Sequence, residues 1–244
     1  MTDGLLLLHA WPLDARMWEP QLGVLAADVL VAAPSHPGFG GTPGAGAVTS
    51  MAACAEHALA ALDDAGIERA VVCGLSIGGY VTFELWRRAP ERFLGMVLAN
   101  TRAVADTPEA AQGRLALAAR LRAEGNVLAA EPPALLAPDA PADLRERVRA
   151  LVADQPAEAI AAALVGMAER PDSTPDLSGI DVPTLVVTST ADQLIAPEVS
   201  LEMASHIPGA RTHTIEGVGH LTNLEAPETF TGLLAEHLAA CGLA

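Results

Sequence analysis

Lysine is absent from this chain: all 14 basic side chains are arginine, set against 30 acidic ones, for a formal charge of −16. Without lysine there is no Schiff-base nucleophile, no anchor for pyridoxal phosphate and no Walker-type phosphate loop. The shortage of positive charge also argues against a nucleic-acid partner, because binding one means neutralising phosphates with basic groups. Cysteine is scarce too. Cys54, Cys73 and Cys241 are odd in number and far apart, which fits a reduced interior better than a disulfide framework and matches no metal-ligand spacing. No apolar run approaches the roughly 18 residues of a membrane span. Leu5–Leu8, closed by His9, is shorter than the apolar stretch of a secretion signal. The expectation is a cytoplasmic protein with neither membrane nor nucleic acid as partner. What is present is a core: 51% of the 244 residues are hydrophobic and 18% charged, enough for one substantial folded unit.

Short apolar runs alternate with longer helical patterns. Runs at 5–9, 29–33, 70–74, 96–100, 184–188 and 211–215 are mostly Val, Leu and Ile without polar alternation, as expected of strands buried on both faces of a parallel sheet. Between them, helices are predicted over 50–65, 79–89, 197–207 and 227–241, bounded by Gly66, Pro90, Pro208-Gly209 and Gly242. Strands alternating with helices imply an α/β fold wound by right-handed crossovers. Residues 101–183 break the alternation. They carry helical patterns at 109–124, 143–154 and 157–169, separated by Pro132-Pro133, Pro138, Pro141, Pro156 and Pro171. The expected division is a core of residues 1–100 and 179–244 with a helical cap inserted at 101–178.

The strongest chemical signal is Gly74-Leu75-Ser76-Ile77-Gly78-Gly79, between the apolar run 70–73 and a helix. A Gly-x-Ser-x-Gly turn in that context holds the serine hydroxyl above the sheet edge, and its glycines let strand and helix approach. A serine needs a base to take its proton and an acid to orient the base. In this geometry the chain order is serine, acid, histidine. Asp192, just past the run 184–188, is the expected acid. The rival position after the preceding strand holds Asn100, with Asp106 six residues on. Among seven histidines, His220 in Gly217-Val218-Gly219-His220 lies after the last strand and before the last helix, and is the expected base. His57, His206, His213 and His237 fall in helix or strand patterns and read as surface or packing residues. His9 reads as a brace of its turn. No two histidines show metal-ligand spacing, so no zinc is expected. Oxyanion donors are expected from the N–H groups of Ile77 and Trp11, since Pro12 has none.

With these residues assembled, the chain resembles the α/β-hydrolase superfamily over nearly its full length. The likeness rests on His9-Ala10-Trp11-Pro12, Pro37-Gly38-Phe39-Gly40, the turn 74–79, Asp192 with Pro197, and Gly219-His220 followed by Glu225 and Pro227. Within the superfamily, 9–18 and 220–230 are similar to the small esterase and 3-oxoadipate enol-lactonase-like group. The resemblance implies Ser76, Asp192 and His220 as catalytic triad, with Trp11 and Ile77 as oxyanion donors. Ala10, Ser35 and Ser189 depart from the glycine, aspartate and glycine usual at their positions, and the customary N-terminal hairpin is expected to be missing.

The expected function is hydrolysis of a carboxylic ester or lactone through an acyl-enzyme, with no cofactor and no metal, on a small-molecule substrate. Trp11 and Phe39 are the candidate pocket residues. Alternatives are a small-molecule binding or receptor protein on a hydrolase fold, or a related enol-lactonase, perhydrolase, thioesterase or C–C hydrolase. Because an anionic substrate would meet the charge of −16, the sequence favours neutral esters over carboxylate-bearing lactones. The exception would be a local arginine, with Arg16, Arg102, Arg120 and Arg122 as candidates.

Overall fold

The computed structural model of the protein describes residues 2–243. One sheet contains six parallel strands: β1 (Asp3–Leu8), β2 (Val31–Ala32), β3 (Arg69–Leu75), β4 (Phe93–Ala99), β5 (Thr184–Ser189) and β6 (Arg211–Ile215). Their order is β2-β1-β3-β4-β5-β6. The register aligns Leu7, Cys73, Val97 and Leu185 in one row across the four middle strands. Leu5 to Leu8, Val71, Val72, Cys73, Leu98 and Val186 are wholly inaccessible, each leucine contributing about 1.5–3 kcal/mol of transfer free energy. This is the continuous apolar lettering of strands covered on both faces.

The covering helices are α1 (Glu19–Leu25), α2 (Met51–Asp64), α3 (Ile77–Arg88), α4 (Pro108–Glu124), α5 (Ala142–Ala153), α6 (Ala157–Ala168), α7 (Pro197–Ser205), α8 (Thr222–Glu225) and α9 (Pro227–Ala240). They lie on both sides of the sheet. α2 packs on α3, which rests on β1 and β3; α1 packs on α9, which rests on β4; α7 lies against β5 and β6. Local chemistry fixes the boundaries. Ser50 caps α2 by accepting from the Ala53 N–H, and Gly66 closes it at φ 68°. Thr107 caps α4 through the Ala110 N–H, with Pro108 at its first position.

Two strands differ from the sequence reading. The run 29–33 yields only Val31–Ala32, because β2 is an edge strand paired to β1 alone. The Val29 N–H is taken by Leu25 O, and Pro34 has no N–H to continue the ladder. β6 is the opposite edge, and its Arg211, Thr212 and His213 are exposed rather than buried on both faces. Helix α3 also begins at Ile77, two residues earlier than expected, since the reversal is made at Ser76 itself.

Between β4 and β5 the described residues contain no strand; they hold α4, α5, α6 and short 3-10 turns. α4 packs on α6. α6 in turn meets the loop before α2, where the Thr49 N–H donates to Ala162 O at 3.0 Å. Gly166 makes this approach possible, because a Cβ there would run into the Thr49 carbonyl.

Candidate active site

The carboxyl ends of β1, β3, β4 and β5 and the loop after β6 converge on one edge of the sheet, where ligands bind in open α/β folds. Ser76 follows β3 at φ 57° and ψ −116°, a conformation costing about 1–3 kcal/mol for a residue with a side chain. Close packing holds it there. A Cβ on Gly74 would strike the Gly78 carbonyl, and one on Gly78 would strike the Leu8 carbonyl. The Ser76 N–H donates to Ala99 O (2.9 Å), and Ser76 O accepts from Thr101 Oγ1 (2.8 Å), so the turn is bolted to the end of β4.

Asp192 and His220 meet directly: His220 Nδ1 lies 2.8 Å from Asp192 Oδ2, and both side chains are almost inaccessible. Asp192 Oδ2 also accepts from Asn100 Nδ2 at 2.9 Å, and Oδ1 accepts from the Leu194 and Ile195 N–H groups at 2.8 and 3.1 Å. Burial opposes ionisation, but these donors outweigh it and hold the Asp192 carboxyl below its ordinary 3.8. A carboxylate can only accept, so Nδ1 carries a proton, and in the neutral imidazole Nε2 is then the acceptor. That Nε2 is buried, with no partner among the described residues.

Sequence reasoning missed what orients this pair. Asn100, at φ 43°, donates to Ser189 Oγ at 2.7 Å as well as to Asp192 and accepts from Thr222 Oγ1 at 2.9 Å. Ser189 Oγ passes the chain on to Gly219 O at 2.6 Å. The ends of β4 and β5 and the histidine loop are thereby locked together by one buried amide. Ser189, where related chains usually have glycine, is a member of that relay. Glu225 accepts from the Gly219 and Ala137 N–H groups at 3.0 and 2.9 Å, tying the histidine loop to the inserted segment. The sequence places Asn100 at a strand end, but nothing local marks its role or that of Thr222, since the side-chain partners are about ninety or more residues away.

The rival acid Asp106 does not touch His220. Its buried carboxylate binds Arg102 at 2.6 Å, Arg170 at 2.9 Å and Arg114. Ser76, His220 and Trp11 share one cavity of about 140 Å³, walled also by Tyr80, Arg102 and Arg114. Trp11 is further held by its indole N–H, which donates to Ile160 O at 3.2 Å. The backbone N–H groups of Trp11 and Ile77 have no protein acceptor among the bonds of the described residues. Phe39 is not part of this wall: it is buried edge-on to the His9 ring, centroids 5.6 Å apart. Among the described residues, no three His, Cys, Asp or Glu side chains group as a metal site.

Behind Trp11, His9 Nε2 accepts from the His36 N–H at 2.8 Å, so its proton sits on Nδ1, 3.0 Å from Ala10 O. Burial lowers the His9 pKa from 6.5 to about 4. Since the folded value lies below the unfolded one, the stability this residue contributes is complete above 6.5 and is lost as pH falls towards 4. Imidazole ¹⁵N spectra are expected to show His9 as the neutral Nδ1–H tautomer at pH 5. Observation of a charged ring at that pH would refute this bracing role.

A family model described as alpha/beta hydrolase family matches residues 5–232. The fold superimposes with a TM-score of 0.94 on a thermophilic esterase from Thermogutta terrifontis, solved with malate bound; the two are 36% identical over 99% of this chain and 90% of that one. The enol-lactonase from Burkholderia xenovorans aligns with a TM-score of 0.87 at 27% identity, covering 98% of this chain and 92% of that one. A stretch of 97 residues is 39% identical to a pimeloyl-acyl-carrier-protein methyl ester esterase from Aromatoleum aromaticum, spanning 40% of this chain and 36% of that protein. With an all-parallel sheet, a serine turn after its third strand and a family match over residues 5–232, the chain belongs to the alpha/beta hydrolases, among relatives that include esterases and enol-lactonases.

Proposed function

We propose that the protein is a serine hydrolase of carboxylic esters or lactones, with Ser76 as nucleophile, His220 as general base and acid, and Asp192 as the orienting carboxylate. The observation that carries the reading is the buried 2.8 Å contact between His220 and Asp192, with an unpartnered Nε2 in the same cavity as Ser76. Ser76 Oγ adds to the substrate carbonyl as Nε2 takes its proton. The tetrahedral oxyanion accepts from the Trp11 and Ile77 N–H groups. Its collapse expels the alcohol oxygen, which leaves with the proton from Nε2. Water then adds to the acyl-enzyme by the reverse assignment of the same groups, releasing the acid and restoring Ser76. Asp192 stays ionised throughout and stabilises the imidazolium.

Residues 101–178 act as a cap on a core of 1–100 and 179–244, supplying Arg102, Arg114, Pro133 and Met167 to the cavity wall. The relatives named as esterases and enol-lactonase support the ester or lactone class. A fluorophosphonate is expected to label the native protein once, with peptide mapping placing the adduct on Ser76. An adduct on any other serine would overturn the assignment.

A further inference from the structure

Three guanidinium groups converge on one carboxylate in the inserted segment, and two of them face the cavity. Asp106 binds Arg102, Arg114 and Arg170, which leaves two positive charges uncompensated. Arg170 donates to Met167 O and Val104 O and stacks 4.2 Å over the Tyr80 ring; its Nε is unpartnered among the described residues, but it does not line the cavity, whereas Arg102 and Arg114 do. Arg102 gives one Nη to Asp106, while its Nε is buried with no partner among the described residues. Arg114 gives Nε to Asp106 and Nη1 only to Met167 Sδ at 3.4 Å, a weak acceptor. Of 30 acidic residues in the chain, none lines this cavity, whereas both of these arginines do.

We propose that Arg102 and Arg114 form an anion subsite beside Ser76, so that the preferred substrate is a short ester or lactone bearing a second, free carboxylate. The proposal rests on the serine hydrolase reading above. Three arginines on one carboxylate leave net positive charge that an anionic ligand can satisfy. Arginine offers planar, paired donors that suit a carboxylate, and such charge-assisted bonds strengthen where water is excluded. A void of about 140 Å³ holds a group of roughly benzene's bulk, which limits the acyl part to a short diacid. This departs from the neutral-ester preference expected from the sequence. There the net charge of −16 set the field, whereas the fold gathers positive charge locally where an anion would bind.

The test compares p-nitrophenyl hydrogen succinate with p-nitrophenyl butyrate, which share a four-carbon acyl chain and differ in the terminal carboxylate. The native protein is expected to show kcat/KM about tenfold to a hundredfold higher for the hemiester, the yield of one or two charged hydrogen bonds. Arg102→Gln and Arg114→Gln are each expected to lower that ratio by about tenfold or more. Glutarate is expected to slow fluorophosphonate labelling of the native protein, which decides the matter if either variant fails to fold. A ratio at or below one without glutarate protection overturns the subsite while leaving the hydrolase reading intact. A high ratio that both substitutions leave unchanged overturns the assignment to these arginines. If neither ester is cleaved and Ser76 is not labelled, the hydrolase reading itself fails and takes the subsite with it.

Discussion

Replacing Ser76 with alanine is expected to lower kcat for p-nitrophenyl butyrate by about a millionfold, the loss seen when a triad nucleophile is removed. The size follows from the chemistry, because the proposed covalent route runs through the Ser76 hydroxyl alone. What remains is binding and oxyanion stabilisation, which act on a water rather than on a covalent nucleophile. The fold should survive. Alanine at φ 57° is strained as serine is, and the bonds that anchor the turn use the Ser76 N–H and carbonyl, not its hydroxyl. The check is turnover together with thermal unfolding: a melting point within a few degrees of the native protein, with activity gone. A folded variant retaining activity within tenfold of the parent would remove Ser76 from the mechanism.

Asp192→Asn is expected to reduce kcat by about 10⁴. Four donors converge on the Asp192 carboxylate: His220 Nδ1, Asn100 Nδ2 and the N–H groups of Leu194 and Ile195. An asparagine offers one oxygen and an NH₂ to that set. Keeping the two backbone donors satisfied turns the NH₂ towards His220, which must then accept at Nδ1 and carry its proton on Nε2. In that tautomer the imidazole cannot take a proton from Ser76. Asp106→Asn is the informative control. It leaves three guanidinium groups without their carboxylate, so it is expected to lose about 3–5 kcal/mol of stability, read as a lower melting point. If the folded Asp106→Asn protein lost turnover of the neutral ester while Asp192→Asn kept it, the acid would belong after β4 instead.

The positions of the candidate site were legible because each lies at a local transition that sequence marks. Ser76 stands between an apolar run and a helix, flanked by glycines that the packing requires: Gly74 and Gly78 are pressed against backbone carbonyls. Asp192 and His220 each follow a strand, in the chain order this turn geometry demands. Their contact depends on the sheet order, which sets the ends of β5 and β6 side by side. Phe39 shows the limit of the same reasoning. A phenylalanine in a Gly-Phe-Gly turn looks available to a pocket, yet its ring is spent on packing against His9.

The sequence by itself determined the alternation of buried strands and helices, the helical insertion between β4 and β5, and the serine turn. These depend on hydrophobic period, caps, glycines and prolines within a few residues of one another. Only the tertiary structure decided how far the edge strands extend, which hydrogen bonds hold Asp192, and where the excess arginines go. Edge length depends on whether a neighbour exists to accept the ladder, and the polar face of β6 follows from its having a neighbour on one side only. Asn100 reaches Ser189, Asp192 and Thr222 across 89, 92 and 122 residues of chain. Arg102, Arg114 and Arg170 meet at Asp106 from three separate segments. A sum over the chain gives −16, but a substrate would respond to the few charges within a Debye length of where it binds, and folding alone selects which those are.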